Sequence, residues 1–187
     1  YWNNTGVGNE TRPNHTPMRR LMMDSLYFMV EELHVDGFRF DLAGILGEQD
    51  ENYNYWYEDP TESALGVIAN DLVLQANNVR IIAEPWTAGG YYNPLLGAYP
   101  AAVNREGHGW GEWNGHFRDI VRSLINEDSF TMNRKEGVLD FGGALTGSYD
   151  MYAHNGRQPW HSMNFVTVHD GFTLYDLFSF NEKQNGC

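Results

Sequence analysis

The stretch Val35-Asp36-Gly37-Phe38-Arg39-Phe40-Asp41-Leu42 fits few structural contexts. Read with the period-two alternation of a strand, it places Phe38, Phe40 and Leu42 on one face and Gly37, Arg39 and Asp41 on the other. One face is apolar; the other carries a guanidinium and a carboxylate. Burying an ion costs several kcal/mol unless it is paired and hydrogen-bonded, so an ordinary core strand rejects this pattern. An edge strand with a surface ion pair accepts it. So does the C-terminal end of a strand in a parallel (β/α)8 barrel, where outward residues meet helices and inward ones near the rim build a polar cleft.

The sequence on either side alternates in type. Thr16-Pro17 reads as an N-cap followed by proline at the first helical position. Met22, Leu26, Met29, Val30 and Leu33 then recur at helical spacing, which predicts a helix reaching Leu33 and feeding directly into the strand. Residues 44–61 have neither period and read as a long loop over the face where the strands end. Residues 63–75 predict one return helix with Leu65, Ile68, Ala69 and Leu72 on its buried stripe, and residues 79–86 a second strand ending in Glu84. A loop over 87–109, a short strand over 110–114 and a helix over 116–126 follow, the last buried through Phe117, Ile120, Val121, Leu124 and Ile125. Residues 127–160 read as irregular. Residues 163–170 are β-rich and end in His169-Asp170, with Gly171 permitting a sharp turn.

A complete barrel takes about 250 residues, against 187 here, and the chain starts at Tyr1 and ends in a loop-like tail. It reads as a fragment of a longer protein, so the absence of a targeting segment carries no information. A net charge of −13 repels phosphate backbones and argues against nucleic-acid partners. A single Cys excludes an intrachain disulfide framework and a cysteine zinc cluster, and is compatible with a reducing compartment. No apolar run approaches the roughly 18 residues of a membrane span. Several of the aromatic residues sit in polar, loop-like contexts where a ring can stack on a sugar face, although most serve the core. The Asn-x-Thr sequons at Asn3, Asn9 and Asn14 are what an Asn- and Thr-rich loop yields by composition.

Three strand-like runs therefore end in Asp41, Glu84 and Asp170, and a parallel barrel brings its strand ends to one rim. Paired carboxylates are what glycoside hydrolysis needs, one protonated to release the leaving oxygen and one ionised to attack or to activate water. Arg39 beside Asp41 favours the ionised form, and the apolar neighbours Ala83 and Pro85-Trp86 favour a protonated Glu84. His169 is a candidate donor to sugar hydroxyls, provided the strand ends or bulges there so that it and Asp170 both reach the cleft. Any one of these acids alone reads equally well as a solvated loop carboxylate or a helix cap. Hard cations also use clustered oxygens, but EF-hand spacing and paired-histidine motifs are absent, so no metal is expected.

Val35-Asp-Gly-Phe-Arg-Phe-Asp-Leu-Ala43, Ala83-Glu-Pro-Trp86 and Phe165-Val-Thr-Val-His-Asp170 resemble, in this order, three signature regions of the alpha-amylase superfamily, glycoside hydrolase family 13. The flanks resemble its isoamylase and glycogen-debranching branch: Tyr1-Trp-Asn-Asn-Thr-Gly-Val-Gly-Asn9, Gly109-Trp-Gly-Glu-Trp-Asn-Gly-His-Phe-Arg-Asp119 and His169-Asp-Gly-Phe-Thr-Leu-Tyr-Asp-Leu-Phe-Ser-Phe-Asn-Glu-Lys183. The resemblance implies Asp41 as nucleophile held ionised by Arg39, Glu84 as general acid/base, and Asp170 as the carboxylate stabilising the distorted sugar. It makes His169 a substrate-binding neighbour, with Trp86 beside Glu84 a further sugar contact. It also implies retaining hydrolysis of α-1,6 branch linkages in a branched α-glucan, without cofactor. A pullulanase, a trehalose-releasing hydrolase and a glucan-binding protein without catalysis remain open, as does the compartment, a bacterial cytoplasm or a plastid.

The family's Asp…Asn-His signature strand is missing, as are the first and last strands and the flanking carbohydrate-binding and β domains. The expected fold is thus a partial (β/α)8 barrel, roughly its fourth to seventh strands, over residues 1–187. A piece of barrel exposes unpaired strand edges and an uncovered apolar face. Expressed alone, the chain is expected to hydrolyse glycogen no faster than a buffer control. A soluble, cooperatively melting monomer with debranching activity would contradict the fragment reading.

Overall fold

Strand register decides which side chains share a face. The computed structural model describes residues 3–48, 62–88, 96–103, 105–125, 141–169 and 171–181. Within them β1 (Gly37–Phe40), β2 (Arg80–Ala83), β3 (Gly111–Asn114) and β4 (Ser162–Asn164) form one parallel sheet in chain order. Helix α1 (Thr16–Glu31) precedes β1, and α2 (Ala64–Ala69) and α3 (Leu72–Ala76) lie between β1 and β2. Helices α4 (Gly115–Ile125) and α5 (Tyr149–Tyr152) lie between β3 and β4, and α6 (Leu174–Ser179) follows β4. Parallel neighbours need long crossovers, and three of these helices supply the one between β1 and β2 and begin the one after β3.

Phe38 pairs with Ile81, Phe40 with Ala83, and Ala83 with Glu112, so these residues share one face of the sheet. Arg39 pairs with Ile82, Ile82 with Gly111, and Trp113 with Met163, which places Arg39 and Trp113 together on the other face. The first face is covered by Met23, Leu26 and Val30 of α1, Leu65 and Ile68 of α2 and Leu74 of α3. Each such side chain, fully buried, contributes about 1.5–3 kcal/mol. Trp110, also fully buried, donates its indole N–H to the Leu65 carbonyl (2.9 Å) and packs edge-on against Phe40 at 4.9 Å.

Several boundaries differ from the sequence reading. His15 holds the N-cap position of α1 without a side-chain capping bond, Thr16 is the first helical residue, and the helix ends before Leu33, which is 60% exposed. The return helix is two helices. Asp71 accepts the Leu74 N–H (2.9 Å) and caps α3, while Asn70 bonds back to the Gly66 carbonyl (2.9 Å), so the pair stops one helix and starts the next. Leu72 consequently turns outward, 70% exposed. The region read as irregular holds helical residues at 141–145 and α5. The β-rich run stops at Asn164, because β3 ends at Asn114 and turns into α4, its Asn114 side chain accepting the Phe117 N–H at 2.8 Å. The predicted loop segment 52–57, Asn126 and Asp170 lie outside the described residues.

On the covered face of β3 the packing turns ionic. Glu112 and Arg157 are both fully buried and form an ion pair. Arg157 also donates to the carbonyls of Trp110 (3.1 Å) and Gly97 (2.5 Å), and its guanidinium lies 4.7 Å from the Tyr152 ring centre. Glu112 accepts the Gly97 N–H at 2.6 Å. Gly97 has φ +85°, and a Cβ there would sit 2.9 Å from the Met151 carbonyl, so no other residue fits this position without strain. Burial pushes the Glu112 carboxyl up, and Arg157 with the Gly97 N–H pulls it back. Arg157→Met is expected to destabilise the fold by about 3–5 kcal/mol in denaturant unfolding, because it strands a buried carboxylate. Adding Glu112→Gln should recover much of that loss. A single variant as stable as the parent would show that the pair does not anchor β3.

Candidate active site

Because β1 and β2 are adjacent and parallel, their C-terminal ends lie side by side. The ladder continues past them through Glu84 N–H to the Phe40 carbonyl and Ala43 N–H to the Glu84 carbonyl, both at 3.0 Å. Between these bonds Leu42 has φ +43°, a left-handed conformation costly for a bulky residue. There its N–H donates to Glu84 Oε2 at 2.8 Å. The unusual backbone thus delivers a hydrogen bond to the carboxylate that the second strand presents.

Arg39 joins the two acids. Its Nη1 lies 2.7 Å from Asp41 Oδ1 and its Nη2 2.8 Å from Glu84 Oε1. The acids differ in environment: the Asp41 side chain is 72% exposed and that of Glu84 only 5%. Burial pushes the Glu84 carboxyl up, and the Leu42 N–H and Arg39 partly offset this. Asp41 pushes it up further through its charge. Arg39 Nε and Nη2 are both buried without a hydrogen-bond partner, so Nη2 meets Glu84 as an ion pair only, and the Trp113 ring centre lies 4.3 Å from the Arg39 Cζ.

Trp113 is the residue that sequence reasoning missed. Around its ring stand Trp86 (6.5 Å), Phe165 (5.8 Å) and His169 (5.9 Å), measured between ring centres. Alternation along residues 110–114 held the signal, since it separates Trp113 from Trp110, Glu112 and Asn114. The structure therefore brings Arg39, Asp41, Glu84, Trp86 and His169 to one end of the sheet. His169 arrives five residues beyond the end of β4 and does not need a bulge.

The N-terminal loop is tied to both strand ends. The Asn4 carbonyl accepts the Ala88 N–H (2.7 Å), and Asn4 Nδ2 donates to Glu48 Oε1 (2.7 Å). Asn14 donates to the Glu48 carbonyl (2.6 Å) and accepts the Ala64 N–H (2.7 Å). Burial, a hydrogen bond with Glu10 and the Glu10 charge push the Glu48 carboxyl up to about 8. A carboxyl raised in this way stabilises the fold below its ordinary value of 4.5 and loses that contribution as pH rises through about 8. Glu48→Gln should therefore flatten the fall in melting temperature over this window. An unchanged fall would remove Glu48 as its source.

The chain is 39% identical to the chloroplastic isoamylase SU1 of Zea mays over 99% of its length, and 40% identical to a Flavobacterium isoamylase over 98%. The chain is a relative of the isoamylases. It is also 41% identical over 97% of its length to a glycogen operon protein GlgX homolog of Mycobacterium bovis. It spans 22–23% of the length of these relatives. No protein-family model matches it. Among solved structures, a Bacillus acidopullulyticus pullulanase superposes with TM-score 0.64 at 27% identity, covering 95% of this chain and 20% of that one. An Anoxybacillus pullulanase complexed with maltotriose gives 0.63 at 26%, covering 95% of this chain and 23% of that one. Among the described residues no helix is long and apolar enough to cross a membrane.

Proposed function

We propose that this chain carries the acid–base centre of a retaining glycoside hydrolase that cleaves α-1,6 branch linkages in glycogen- or amylopectin-type glucans. The observation that carries the reading is the single Arg39 guanidinium held between Asp41 and Glu84. One cation bridging both acids suits the short spacing of a retaining pair, about 5–5.5 Å. It does not suit the about 6.5–9.5 Å that an inverting pair needs for an intervening water.

In this reading Glu84, protonated through burial, gives its proton to the leaving glycosidic oxygen while Asp41 attacks the anomeric carbon and forms a glycosyl ester. Glu84, now ionised, takes a proton from water, and the water oxygen displaces Asp41. Asp170 stabilises the distorted sugar, and His169 and Trp86 contact it. The four strands, consecutive in space as in sequence, are the fourth to seventh of a (β/α)8 barrel, with carbohydrate-binding and β domains contributed by the rest of a longer enzyme. Isoamylase and GlgX relatives near 40% identity favour debranching of glycogen or amylopectin. The pullulanase structures, one of them with maltotriose, support an α-glucan substrate and leave pullulan cleavage as the second reading.

In the full-length enzyme, Asp41→Asn and Glu84→Gln should each abolish hydrolysis while glucan binding stays measurable, since each removes a transition-state role. Retention of activity within about tenfold of the parent by either variant would defeat the assignment. Release of reducing ends from branched glucan but not from pullulan would separate the two readings.

A further inference from the structure

Arg39 is held by more than its two carboxylates. Its Nε has no hydrogen-bond partner, its side chain is 27% exposed, and one face of its guanidinium is covered by Trp113 with Cζ 4.3 Å from the ring centre. A guanidinium at this distance is attracted to the electron-rich face of an indole, and the attraction grows as water is excluded. Trp113 is itself fixed on β3, where its backbone pairs with Met163, and its ring meets those of Trp86, Phe165 and His169. It is therefore a rigid platform built from the third strand, under a cation that belongs to the first.

We propose that Trp113 is a positioning residue: its indole face fixes the Arg39 guanidinium in the plane that reaches Asp41 and Glu84 together. The inference rests on the glycosidase reading and adds to it a residue of β3 that acts through Arg39. One hydrogen bond to Asp41 and an ion pair to Glu84 leave the guanidinium free to tilt about the line between the two acids. A flat ring beneath it removes that freedom without competing for its N–H groups. Loss of the ring face lets the cation tilt and water enter, so the two acids are no longer held at one spacing. The chemical step slows, while glucan binding through other contacts is retained.

The test replaces Trp113 in the full-length enzyme by tryptophan carrying increasing numbers of ring fluorines, which drain the electron-rich face at nearly constant shape. kcat should fall stepwise, by roughly tenfold over the series, with KM changed less than about threefold and the melting temperature unchanged. Trp113→Phe should retain more of kcat than Trp113→Leu, and the fluorine series decides the matter if the Leu variant does not fold. A flat series would show that the ring only fills space. A rise in KM at constant kcat would make Trp113 a substrate contact; either outcome overturns the proposal. If Asp41→Asn stays active, the glycosidase reading fails and takes this inference with it. If Asp41→Asn is dead and the series is flat, only this inference fails.

Discussion

One guanidinium shared by two carboxylates is the interaction on which this end of the molecule depends. Arg39 reaches Asp41 on its own strand and Glu84 on the neighbour, so the pairing of β1 with β2 and the spacing of the acids are the same geometric fact. The cation also resolves an electrostatic conflict. Two carboxylates this close repel, and burial makes the charged form of Glu84 costly. Arg39 and the Leu42 N–H offset part of that cost and leave Glu84 raised. The left-handed backbone at Leu42 is strain located where it aims a donor at a carboxylate.

The covered face of the sheet shows the same chemistry put to structural use. Glu112 and Arg157 are as ionic as the pair at the rim, yet both are fully buried and bound on several sides by backbone groups. Exposure separates the two clusters. The Asp41 side chain opens to solvent, whereas that of Glu112 is fully buried and held by Arg157 and the Gly97 N–H. Both clusters meet on β3, whose consecutive residues Glu112 and Trp113 serve opposite faces of the sheet.

The strands were legible in the sequence because charges at the tips of apolar runs have few places to go, and Arg39, Asp41 and Glu84 come together as that pattern implies. Local polar chemistry set the boundaries that were misread. Asn70-Asp71 looks like the interior of a helix until each side chain is assigned a backbone partner. The Glu112–Arg157 pair spans 45 residues and leaves no local signal, since a carboxylate on a short strand reads as exposed until its partner is known. Trp113 was legible in principle through alternation, but which face carries the site follows from the register with β2 and β4. The expected strand through His169 failed because a strand extends only as far as its neighbour, and β3 ends at Asn114.

If the shared cation holds Asp41 as close to Glu84 as proposed, Asp41 attacks the sugar directly, with no room for a water between the acids. The most direct measurement is the anomeric configuration of the reducing end first released from a branched glucan by the full-length enzyme, followed by proton NMR before mutarotation. The expected first product is the α-anomer, formed by two successive displacements through an ester on Asp41. The β-anomer as first product would mean a single displacement by water, and would contradict direct attack by Asp41.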